Sequence, residues 1–127
     1  MPGGSPFSYA VIRLVPRVER GEQMNVGVVL FCRPRDYLGA RTALDADRAR
    51  ALAPDVDLDA VRAHLTAIER IAAGEPSGGP MAELDTTARF HWLVAPSSTM
   101  LQPSPVHTGV CGDPQTELDE LVAALVL

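Results

Sequence analysis

Apolar residues fall along this chain in two rhythms: period two, or no interruption at all, through the first third, and spacings of three and four afterwards. Across residues 7–15, Tyr9, Val11 and Arg13 alternate with Ala10, Ile12 and Leu14, the alternation of a strand with two distinct faces, and Pro16 stops it. Val26-Gly27-Val28-Val29-Leu30-Phe31-Cys32 is apolar without a break, which marks a strand buried on both faces. Gly27 near its start signals a bulge or a close approach of backbone. Pro34, Arg35 and Asp36 supply a hairpin turn into a third strand over residues 37–44. These three predict an antiparallel meander with the second strand in the middle.

The period then lengthens. Asp45 caps a short helix that runs to Leu52 before Pro54, and Asp57 opens a longer one in which Leu58, Val61, Leu65, Ile68 and Ala72 form one stripe up to a stop at Gly74. Residues 75–80, Glu-Pro-Ser-Gly-Gly-Pro, have the composition of a mobile loop. A third helix is expected within residues 82–94, although Thr86, Thr87, Phe90 and Trp92 also suit a strand. Residues 99–102 and 106–110 read as short extended pieces joined by Pro103-Ser104-Pro105, since a proline biases its predecessor away from helix. Asp113 with Pro114 opens the last helix, which places Leu118, Leu121, Val122 and Leu125 on one face. Strands first and helices afterwards predict an α+β fold, a mainly antiparallel sheet with helices packed on one face. One domain accounts for residues 1–127, with a flexible N-terminus over residues 1–6.

Composition narrows the function classes. A length of 127 residues with 46% hydrophobic content suits a single core. No apolar run approaches the ~20 residues of a membrane span, and the first residues lack the basic and greasy parts of a signal peptide, so no membrane partner and a cytoplasmic location are expected. A net charge of −5 argues against a nucleic-acid partner, whose phosphates demand many cations. All 11 basic residues are arginine. Without lysine there is no Schiff base, no Walker-type phosphate lysine and no protein-kinase active site. Cys32 reads as a buried thiol and Cys111 as a semi-exposed thiol in a late loop, neither within a CxxC pair. His64, His91 and His107 lack ligand spacing, so neither a metal nor a cofactor is expected.

Two segments concentrate polar chemistry. Glu19-Arg20-Gly21-Glu22-Gln23-Met24-Asn25 sets an arginine fork and two carboxylates beside a sheet edge, where a small anionic ligand could be held; its structural alternative is a solvated hairpin with self-paired charges. Residues 89–109 hold Arg89, Trp92, Ser97, Ser98, Gln102, Ser104, His107 and Thr108, broken by three prolines. Phe90 is assigned to the core, and His91 no chemistry. His107 suits a base or a hydrogen-bond donor, as histidine chemistry allows, although a histidine that fixes a proline-rich loop fits as well. Ser98 and Ser104 are candidate nucleophiles, but no GxSxG elbow precedes either.

Taken together, Tyr9-Ala10-Val11-Ile12-Arg13, Glu19-Arg20-Gly21-Glu22, residues 25–30, Arg89-Phe90-His91-Trp92-Leu93 and residues 101–109 resemble the bacterial family catalogued as domain of unknown function 3037. The likeness spans nearly the whole chain, and includes the positions the family pattern emphasises: Glu22, Asn25, Gly27, Arg89, Trp92, Gln102, Pro103, Ser104 and His107. The resemblance implies small cytoplasmic proteins without an established activity, often encoded beside a HipA-like kinase, and hence an accessory role with a kinase-like partner. The expected function is therefore a non-catalytic binding or regulatory module that uses Arg20, Glu22, Asn25, Arg89, Trp92, Gln102, Ser104, His107 and Thr108. The competing reading is a small hydrolase or nucleotide-modifying enzyme. It needs His107 and Ser104 to meet Glu22, Asn25 and an arginine, Arg20 or Arg89, in one cleft.

Overall fold

The computed structural model describes residues 4–97 and 99–127. Five strands, β1 (Ser5–Leu14), β2 (Met24–Cys32), β3 (Tyr37–Thr42), β4 (Leu101–Pro103) and β5 (His107–Cys111), form one antiparallel sheet. Four helices accompany it: α1 (Ala46–Leu52), α2 (Leu58–Ala73), α3 (Thr86–Leu93) and α4 (Pro114–Leu125). β1, β2 and β3 make the expected meander with β2 in the middle, while β4 and β5 share the free side of β1, pairing with its end and its beginning respectively. Ser5 and Pro6, expected in a flexible tail, are already part of β1, opposite Cys111 and Val110. Residues 1–3 of that tail lie outside the described residues.

The apolar run of β2 dictates the layering. Ile12 pairs with Gly27 and Arg13 with Asn25, so Val26 is an extra residue and the strand bulges where the glycine stands. A Cβ on Gly27 would sit 3.0 Å from the Arg41 carbonyl oxygen and 3.0 Å from the Thr42 methyl. Beyond the bulge, Val29 and Phe31 join a core with Ile12, Leu14, Val61, Leu65 and Phe90, beneath α1, α2 and α3. Val28, Leu30 and Cys32 point to the other face, where Leu118 and Val122 of α4 cover them together with Val126. The α+β class holds, but helices pack on both faces, not one. A strand with two buried faces needs cover on each, and burial of Leu118, Val122 and Val126 contributes roughly 1.5–3 kcal/mol apiece toward holding α4 there.

Local chemistry sets the helix limits. The carboxylates of Asp45, Asp57, Asp85 and Asp113 accept backbone N–H bonds at the start of α1, α2, α3 and α4, each cap contributing about 1 kcal/mol. Thr116 bonds the Asp113 carboxylate through both its hydroxyl and its N–H, which holds that acid below its usual range. Gly74 ends α2 at φ 72°, a conformation that costs other residues more. Residues expected as a loop over 75–80 fold partly into 3-10 turns, Pro76–Gly78 and Pro80–Glu83. Cys111 is also a correction: it is buried within β5, and not semi-exposed in a loop, because its side chain falls on the α4 face among Phe7, Cys32 and Leu118. Burial pushes its thiol above the ordinary value, and the neighbouring Cys32 adds to the shift. Both cysteines are free.

Candidate functional site

A cleft of about 310 Å³ opens where α2, α3 and β4 meet. Its floor is Ile12, and its walls are Ile68 and His64 from α2, Trp92 and Leu93 from α3, and Leu101 and Pro103 from β4. Helix α3 explains the exposed indole. Phe90 and Trp92 are two residues apart, which puts them on nearly opposite sides of a helix. Phe90 enters the core and stacks on Phe31 at 5.0 Å, so Trp92 is directed outward and remains 48% exposed at the cleft.

The chain that closes this cleft is tied down by its own polar groups. The Gln102 side-chain amide donates to the Thr99 carbonyl, the Thr99 hydroxyl donates to the Leu101 carbonyl, and the Ser97 and Thr99 hydroxyls bond each other. Ser98 lies outside the described residues. Gln102 is thus a brace for the rim, and Pro96 and Pro103 stiffen the same segment.

Ser104 has a structural duty that its type alone does not announce. Between β4 and β5 the ladder on the free side of β1 is interrupted, and Ser104 spans the gap opposite Val11. Its N–H donates to the Val11 carbonyl at 2.8 Å, and its Oγ accepts from the Val11 N–H at 2.9 Å, standing in for the backbone carbonyl a continuous strand would present. The same hydroxyl donates its proton to the Pro105 carbonyl. It is 3% exposed and held by bonds in both senses, so a nucleophilic role would have to break the ladder first.

The other candidates disperse. Arg20 and Glu22 pair with each other on the surface, the bond and opposite charge raising the arginine and lowering the acid. Asn25 donates to the Leu125 carbonyl and pins the end of α4. Arg89 donates to the carbonyls of Leu84 and Ala72, where its charge complements the C-terminal end of α2. His107 pairs with Tyr9 on the α4 face, their rings 5.3 Å apart and tilted, while Thr108 pairs with Ser8 and faces the opposite way.

Trp92 and Gln102 therefore share the cleft, but Arg89, Ser104 and His107 occupy the helical layer, the ladder and the opposite sheet face. The convergence an enzyme of this type would need is not formed. Among the described residues no three His, Cys, Asp or Glu side chains gather as a metal site. Sequence reasoning missed His64 and Ile68 as lining residues. They lie one helical turn apart, and Ile68 is the half-buried member of the apolar stripe on α2, a sign that the stripe outruns its cover.

Among the described residues no helix is long and apolar enough to cross a membrane. A family model described as protein of unknown function, DUF3037, matches residues 9–126. No curated protein matches the chain, and no solved structure does.

Proposed function

We propose that this chain, which belongs to the DUF3037 family, is a non-catalytic binding module accessory to a kinase-like partner, and that the cleft beside Trp92 receives an apolar side chain of that partner. The observation that carries the reading is the half-exposed indole over an apolar cleft. Tryptophan in a rigid pocket is a frequent anchor of protein interfaces, and a rim already stiffened by prolines and internal hydrogen bonds loses little entropy on binding. The polar residues an enzyme would use are instead engaged within the fold: Arg20 by Glu22, Arg89 by backbone carbonyls, and Ser104 by Val11 and Pro105.

Co-expression with a HipA-like kinase, the partner class that the family resemblance implies, followed by calorimetric titration, tests the proposal. A complex is expected for the wild type. Trp92→Ala should weaken it about tenfold or more, roughly 1.4 kcal/mol or above, with no loss of thermal stability. Arg20→Ala should bind as the wild type does. Absence of any complex, or undiminished binding by Trp92→Ala, defeats the reading.

A further inference from the structure

The Trp92 cleft has a neighbour on the same face of the sheet. In β1, Ser8, Ala10 and Ile12 alternate onto one side, the side on which Ile12 joins the core beneath α2 and α3. Ile12 floors the Trp92 cleft. Four residues back, Ser8 lies between Phe31 of β2 and Thr108 of β5, its partners across the ladder. There a second hollow of about 450 Å³ opens, lined by Pro6, Ser8, Phe31, Arg33, Pro34 and Thr108. None of α1 to α4 contributes to its walls. Ala10, between the two, is fully buried. The rise of a strand sets Ser8 and Ile12 about 13 Å apart.

One uncharged stretch of chain serves both. From Phe90 to Gly112 there is no Asp, Glu, Lys or Arg, although 21% of the whole is charged. That stretch gives Trp92, Leu101 and Pro103 to the cleft and Thr108 to the second hollow. Val110, opposite Pro6 on the same face, is 63% exposed. A continuous apolar margin of this kind marks an interaction surface. The two hollows differ in charge. No Asp, Glu, Lys or Arg lines the cleft, whereas the second hollow has Arg33 and no carboxylate. The ion pairs among the described residues engage Arg17, Arg20, Arg41, Arg50 and Arg62, and not Arg33.

We propose that the partner bound at Trp92 fills both hollows with one extended segment, whose apolar side chains four positions apart enter one hollow each and whose carboxylate beside the second meets Arg33. This rests on the binding reading of the Trp92 cleft. Spacing selects an extended segment. Its residues return to one face every second position, so i and i+4 span about 13 Å. On a helix the steps that return to one face, seven and eleven residues, span about 10.5 and 16.5 Å and miss the separation on either side. Charge then fixes the direction of the segment, because the acidic residue belongs at the Arg33 end and a cation there is repelled.

Calorimetric titration of the full chain with a HipA-like kinase, and with short overlapping peptides of that kinase, tests it. The peptides that bind are expected to carry large apolar residues four positions apart with Asp or Glu beside one of them. Thr108→Arg should weaken the complex about tenfold or more and leave the melting temperature in place, since the position is exposed. Arg33→Glu, also exposed, should weaken binding and remove its dependence on salt, and it carries the test if Thr108→Arg misfolds. Full affinity in both variants, with a complex that Trp92→Ala still weakens, overturns this inference and leaves the single-cleft reading standing. A binding peptide that is helical, or whose apolar residues have another spacing, overturns it too. Indifference to Arg33→Glu overturns the acidic contact. No complex at all overturns both readings.

Discussion

The two edges of the sheet are finished by different means. β3 runs between α2 on one face and α4 on the other, with Arg41 paired to Asp119 at 3.0 Å and the Tyr37 hydroxyl donating to Gln115. The β4–β5 edge has neither charge nor a helix on each side. It relies on backbone chemistry: Pro103 removes a donor and Ser104 fills a break, so the ladder ends cleanly around the middle and lies open at Thr108 and Val110. The contrast teaches that blocking an edge is a local act, and that a protein can close one margin while keeping the other available. Trp92 and β5 both belong to the available margin.

The sharpest way to break that contrast is Ser104→Ala. It leaves the buried Val11 N–H without an acceptor and should cost about 1–3 kcal/mol, read from urea unfolding midpoints. A variant as stable as the wild type would mean that the break in the ladder needs no patch. Alkaline titration separates the two edges next. Burial raises both the Cys111 thiol in β5 and the Tyr37 hydroxyl in β3, with Asp119 and Asp113 adding to the latter. A raised folded-state pKa preserves stability below the unfolded value and loses it above, so decline should begin near pH ~8.5 from Cys111 and resume near pH ~10 from Tyr37. Cys111→Ala should remove the first phase alone when the urea midpoint is followed with pH. The smallest effect is expected from Arg41→Ala, under about 1 kcal/mol and reduced further by salt, because the ion pair is half exposed. A larger, salt-insensitive loss would show that the charge holds the edge and does not merely decorate it.

Much of the fold was legible in the residues. The uninterrupted apolar run predicted a strand buried twice over, Gly27 predicted its bulge, and aspartates predicted the helix starts, because each of these depends on neighbours within a few positions. The same run contained the correction that α4 must lie on the second face. That conclusion needed pairing information, as did the burial of Cys111. The site was less legible. Ser104 looked like chemistry because a hydroxyl between prolines is conspicuous, yet its partner is Val11, 93 positions away. Arg89 likewise found its acceptors at the end of another helix. Trp92 could be located once Phe90 was assigned to the core, since helical geometry then turns the indole outward.

One consequence of β1 lying between β2 and the β4–β5 pair concerns the order of assembly. Its contacts with β2 close across a short hairpin, whereas those with β5 join Ser8 to Thr108 and must await nearly the whole polypeptide. Loop closure over such a span is entropically slow. The meander can therefore zip early, and the margin that stays open in the finished molecule is the last to form, so the side of β1 that β4 and β5 come to cover is bare until late in synthesis, when chaperones would find it first.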